Sequence, residues 1–198
     1  MSESPHSICP RCSRPRFSHS ERCPYNENLP VTATEEERNR RRDAAQAIFD
    51  AWAKPLGEID IERTGAGIYI RKKYVSTEGY PASHRLGRMT FRLRGAEAEI
   101  LGMDNLEQKT KGTGTTLLAV LLAEHPEIDR IRSFLHEDNS EAYCKARKDG
   151  KSHLDALEAT PAMSIRHKFG FDTIIEFNEP SDPENADLVP LLVERGQA

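Results

Sequence analysis

Lys109-Thr110-Lys111-Gly112-Thr113-Gly114-Thr115-Thr116-Leu117-Leu118 stands between a stretch of alternating apolar and charged residues and an apolar helical run. Before it, Glu97 and Glu99 alternate with Ala98 and Ile100, the pattern of a strand with one wet face. After it, Leu117, Leu118, Val120, Leu121 and Leu122 predict a helix that opens near Gly114 and ends at Pro126. At such a turn, successive backbone N–H groups point outward with the positive end of the helix dipole behind them. Glycine lets the backbone approach an anion closely, so the segment is a candidate phosphate seat. Two familiar phosphate motifs do not fit. A Walker loop needs Gly, four residues, then Gly-Lys-Ser/Thr, and the dinucleotide fingerprint needs a third small residue where Leu117 stands.

Working outward toward the N terminus, residues 58 to 103 read as strands. Ile59, Ile61, Ile68, Ile70, Tyr74, Met89, Phe91, Leu93, Ala98 and Ile100 alternate with charged residues, and Gly65/Gly67, Gly79-Tyr80-Pro81 and Arg94-Gly95 supply turns. Upstream, Thr34 with Glu37 three residues on is a capping pattern, and Ala44, Ala45, Ile48, Phe49 and Trp52 recur at helical spacing. This predicts a helix over 34–53, stopped by Pro55 and Gly57.

Toward the C terminus, Ile128 to His136 reads as a strand, Asn139 to Lys148 as a polar helix, and the residues around Asp149-Gly150-Lys151 as an insertion-like loop. Thr160 at a cap with Pro161 at the first helical position predicts another helix, closed by Gly170-Phe171. A strand over Asp172 to Phe177 and a last one over Leu188 to Val193 complete the pattern. The fold class expected is α/β (α+β), with a mixed, mostly antiparallel central sheet flanked by helices.

Taken in order, the segments resemble the GNAT family of acetyl-CoA-dependent N-acetyltransferases over about residues 58–178. The family's pyrophosphate loop reads Arg/Gln-x-x-Gly-x-Gly/Ala before an apolar helix; here Lys109-x-x-Gly112-x-Gly114 precedes Thr115 to Leu122. Lys168-Phe169-Gly170-Phe171 is similar to the family's Lys-Leu-Gly-Phe ending. The resemblance implies acetyl-CoA as cosubstrate, with its pyrophosphate on the backbone amides of Lys111, Gly112, Thr113, Gly114 and Thr115 and with Lys109 nearby. It also implies pantetheine in a gap between the strand ending near Leu101 to Met103 and the strand at Ser133 to His136, with a main-chain N–H polarising the acetyl carbonyl. An amine would then attack the thioester directly, needing a base and an acid but no covalent enzyme intermediate.

Counting back from Gly170, Arg166 occupies the position where many members carry a tyrosine acid. A rival alignment of Asn139-Ser140-Glu141-Ala142-Tyr143 with the family's Asn-x-x-Ala leaves about twenty extra residues before Gly170, so Thr160-Pro161 is the better start for the final helix. Tyr143 and His167 are candidate acids, Glu99 a candidate base, and His136 stands at a strand end facing the expected cleft. The competing expectation is a GNAT-like binding module without catalysis.

The first thirty residues differ in kind, rich in Pro and Ser and holding three of the four cysteines. Cys9, Cys12, His19 and Cys23 form Cys-x2-Cys-x6-His-x3-Cys, which can close a tetrahedron on Zn2+ and staple a segment that has no apolar core. His6 could replace His19. The expected organisation is a Cys/His-rich zinc-binding segment over 1–33 and the GNAT-like domain over 34–198. Arg11, Arg14, Arg16 and Arg22 with Phe17 and Tyr25 could contact single-stranded nucleic acid or a protein.

Over all 198 residues the formal net charge is -4, which argues against bulk attraction to nucleic acid or anionic membrane. Mean hydropathy is -0.67. No apolar run approaches the roughly 18 residues of a membrane span, and Met1 to Pro10 do not read as a signal peptide, so the expected location is the cytoplasm. The acceptor amine, on a small molecule or a protein, is not named by the sequence. The basic and aromatic residues between Tyr69 and Arg94 hint at an acidic one.

Overall fold

Thr34 caps helix α1 (Glu35–Ala53): its hydroxyl accepts from the Glu37 amide at 3.2 Å, while Glu35, Glu36 and Glu37 complement the positive end of the dipole. Pro55 then tightens the chain into a 3-10 turn, Lys54–Leu56, ended by Gly57 at positive φ. The computed structural model describes residues 30–65, 67–107, 110–177, 179–180, 186 and 189–196.

Strands β1 (Ile59–Thr64), β2 (Gly67–Val75), β3 (Pro81–Arg94) and β4 (Glu97–Asn105) form an antiparallel meander. Helix α2 (Thr113–Glu124) crosses to β5 (Arg130–Phe134), which lies parallel to β4. After helices α3 (Asp138–Lys148), α4 (His153–Glu158) and α5 (Pro161–His167) come β6 (Phe171–Phe177) and β7 (Pro190–Arg195). The last strand inserts between β5 and β6, giving the order β1-β2-β3-β4-β5-β7-β6, antiparallel except at β4–β5. This is the mixed, mostly antiparallel sheet with helices that the alternation predicts.

Register sorts the side chains by face. Paired residues point the same way, so Ile68 and Met89, Ala98 and Ile131, and Ile131 and Val193 share one face, and all belong to the core with Leu117, Leu118 and Leu121 of α2. The opposite face carries Arg71 on Glu62, Arg88 on Asp104, Arg92 and Arg94 on Glu99, and Arg132 on Glu97 and Glu176. Two expectations change here. Arginines of the basic stretch before Arg94 are paired with carboxylates of neighbouring strands, which removes the ground for an acidic acceptor. Glu97, expected on a solvated face, is buried on Arg132.

Between the loop expected around Asp149-Gly150-Lys151 and Thr160 lies α4, which the sequence pattern did not predict. Ser152 caps it by accepting from the Asp155 amide at 3.1 Å, and burial of Ala156 and Leu157 holds so short a helix in place. Helix α5 starts where Thr160-Pro161 predicts: the Thr160 hydroxyl accepts from the Met163 amide, and Asn139 of α3 accepts from the Ala162 amide at 2.8 Å. Because Thr160 is fully buried, Thr160→Ala is expected to lower unfolding free energy by about 1–2 kcal/mol, measured by urea denaturation. No described helix is long and apolar enough to cross a membrane.

Candidate functional site

Strands β4 and β5 pair only at Glu97–Arg130, Ala98–Ile131 and Glu99–Arg132. Beyond that point they part company. β4 continues to Asn105 on β3, and β5 continues to Phe134 on β7. A bulge marks the fork: Ile100 pairs with Phe91 and Gly102 with Thr90, so Leu101 is the extra residue and its side chain is 50% exposed. At the end of β5, Glu137 is the one described non-glycine residue with positive φ, at 46°. Backbone strain of this kind gathers at sites where the surrounding structure holds a special geometry.

Helix α2 begins on Gly112, whose φ of 96° is left-handed, and no side chain caps it. Its first helical bond runs from the Thr116 amide to the Gly112 carbonyl at 2.9 Å, so the amides of Thr113, Gly114 and Thr115 have no acceptor within the helix. The Thr113 and Thr115 side chains are buried, with the Thr113 hydroxyl donating to the Thr110 carbonyl at 3.3 Å. What this turn offers a ligand is therefore backbone N–H groups, with the Lys111 side chain exposed beside them. Lys109 lies outside the described residues.

Two contacts explain the glycines. A Cβ on Gly112 would stand 2.8 Å from Trp52 Cε3, because the ring closing α1 packs on the turn. A Cβ on Gly114 would stand 3.0 Å from Ile165 Cδ1 and 3.2 Å from Met103 Sδ. The end of β4, the start of α2 and helix α5 thus meet at one point. Lys168, just past α5, holds its ammonium 5.2 Å from the centre of the Trp52 ring, adding a cation near the same turn.

Arg166 stands next to Ile165 and is 4% exposed. One terminal nitrogen donates to Ser133 Oγ on β5, and the other lies 4.0 Å from Met163 Sδ. Burial alone pushes its guanidinium down to about 10, and no carboxylate among the described residues offsets this.

Of the candidate acids and bases, Glu99 stands at the fork itself, opposite Arg132 in the last β4–β5 pair. Glu99 is held by Arg94 at 2.9 Å and Arg92 at 3.4 Å. His136 is 64% exposed at the end of β5, with Nε2 3.8 Å from Glu137. His167 pairs with Glu158 at 3.1 Å. Tyr143 is buried against Phe177, its hydroxyl 2.7 Å from His153 Nδ1, and burial raises its pKa. Met103 does lie at the start of α2. Trp52, Ser133, Arg166 and Lys168 were not singled out as site residues by sequence reasoning, although Arg166 stood at the position of the family's tyrosine, Ser133 opened the strand beside the expected gap, and Lys168 belonged to the Gly-Phe ending.

The predicted zinc ligands Cys9, Cys12, His19 and Cys23 lie outside the described residues. Among the described residues, no group of three or more His, Cys, Asp or Glu side chains could hold a metal ion. Cys144 is a buried free thiol on α3.

No family model matches this sequence, and no curated protein matches it. Among solved structures, a crystal structure named "putative acetyltransferase from Agrobacterium tumefaciens" is similar at a TM-score of 0.34 and 14% identity, over 84% of this chain and 96% of that one. A likeness so slight carries neither a family nor an activity across.

Proposed function

We propose that the chain is an acyl-CoA-dependent N-acyltransferase with a GNAT-like fold, moving an acetyl group from acetyl-CoA to an amine. The observation that carries the reading is the uncapped, glycine-started α2, whose first amides lack acceptors within the helix and whose Gly114 lies against Met103 at the end of β4. In this reading the pyrophosphate sits on the amides of residues 111–115, with Lys109, Lys111 and Lys168 adding positive charge. Pantetheine follows the gap between the strands, where a main-chain N–H near the Leu101 bulge polarises the acetyl carbonyl. In this reading the attacking amine gives up its proton through water, with Glu99, His136, Tyr143 and His167 as the side chains proposed for acid and base roles. The Cys/His-rich segment 1–33 is proposed as a zinc-bound appendage that positions the acceptor.

A ligand that binds only the native state stabilises it by mass action, by about 2.7 kcal/mol at a hundredfold excess over Kd. Saturating acetyl-CoA is therefore expected to raise the melting temperature by roughly 5–10 °C. Gly114→Glu should remove that rise, since its side chain must enter the space between Met103 and Ile165. Identical melts with and without acetyl-CoA would overturn the reading in favour of a GNAT-like binding module.

A further inference from the structure

A guanidinium taken out of water without a counter-charge is costly. Arg166 is in that position. Among the described residues, Glu97 and Arg132 are the other buried charged side chains, and they neutralise each other at 2.9 Å. Arg166 has a serine hydroxyl and a thioether instead.

Its place gives the charge a use. Ser133 is the residue immediately after the last β4–β5 pair, Glu99–Arg132, so its hydroxyl and the guanidinium bound to it stand where the strands separate. Ile165, the neighbour of Arg166 on α5, touches the start of α2 together with Met103 of β4. The charge therefore borders the space that the acyltransferase reading, on which this inference rests, gives to the thioester.

We propose that Arg166 receives the thiolate released from CoA, stabilising it as an ion pair where a proton donor would otherwise be needed. The amine nitrogen bonds to the acetyl carbon, the C–S bond breaks with its electron pair passing to sulfur, and the amine loses a proton to water. Arg166 stays protonated throughout. A fixed charge in a site with little water favours the departing anion more than the neutral thioester, which is the requirement for lowering the barrier.

The product state tests this without knowledge of the acceptor. A free thiol has a pKa near 8.5 and is mostly protonated at about pH 7.5. Beside Arg166 the CoA thiol should ionise on binding, with its thiolate-to-thiol ratio rising about tenfold or more. Calorimetry of the full chain with CoA at about pH 7.5, run in buffers of different ionisation enthalpy, should show release of about 0.4 proton or more per CoA. Desulfo-CoA should show none of that release. Arg166→Gln should bind CoA and lose the extra proton, while Arg166→Lys keeps part of it. Equal proton release from CoA and desulfo-CoA on the unaltered protein would overturn this proposal and leave the acyltransferase reading standing; absence of binding by either ligand would overturn both.

Discussion

Arg166→Met is expected to unfold at higher urea concentration than the unaltered protein, with a gain of about 2–3 kcal/mol and a rise in melting temperature of roughly 5–10 °C. The guanidinium is buried with no acid near it among the described residues, and burial brings its pKa down to about 10. That displacement reflects a penalty on the charged form on the order of 3 kcal/mol. Methionine matches much of the arginine stem in length and packs beside Met163, while the lost bond to Ser133 offsets the gain by about 1 kcal/mol.

The pH dependence has a definite sign. The group binds its proton more weakly folded than unfolded, so its penalty is present in full below about 10 and is relieved as pH rises through that value. The advantage of the methionine variant should accordingly be constant near neutrality and narrow above pH 10. A variant that is less stable than the parent near neutrality would show that Arg166 organises the fold, and would remove the reason for assigning its charge a task.

Gly112→Ala should be the most damaging small substitution in the α2 turn, costing about 2–4 kcal/mol. Two effects add at this residue. A φ of 96° is left-handed and strains any residue with a Cβ, and that Cβ would stand 2.8 Å from the Trp52 ring. Trp52→Ala in the same chain should recover the steric part and leave the conformational part, so the double variant should be more stable than the sum of the single losses implies. Urea unfolding of the four chains measures this directly. Gly114→Ala is the contrast: helical backbone prefers alanine there, and its Cβ meets the ends of two flexible side chains, Ile165 and Met103. A harmless Gly112→Ala would mean that the turn does not have this geometry.

Most of the elements were readable in the sequence because they rest on local chemistry. Thr34 and Thr160 signal helix starts through side-chain acceptors, and the alternation around Ala98 and Ile100 marks a strand that buries one face. The Gly112-Thr113-Gly114 turn is legible because a left-handed residue and a close approach both demand glycine. Helix α4 escaped because its Ser152 cap follows a Gly150 turn and its length of six residues leaves no helical period to see.

The fork of β4 and β5, the insertion of β7 between β5 and β6, and the burial of Arg166 depend on contacts between residues far apart in the chain. An arginine on a short helix reads as surface, and nothing local marks one that turns inward to Ser133. Likewise, the arginines between Tyr69 and Arg94 read as a basic patch until strand register places carboxylates beside them.

Together these features divide the work of the proposed site. Backbone amides that local sequence can specify hold the charged end of the ligand, and a fork made by long-range pairing receives the reactive end. Calorimetric titration with acetyl-CoA, using desulfo-CoA and ADP as controls for the phosphate portion, tests that claim most directly. The expected result is micromolar binding of acetyl-CoA that Gly114→Glu abolishes, with desulfo-CoA retaining most of the affinity and ADP part of it. Acetyl-CoA that produces no binding heat at any temperature tried, on protein that melts cooperatively, would contradict it.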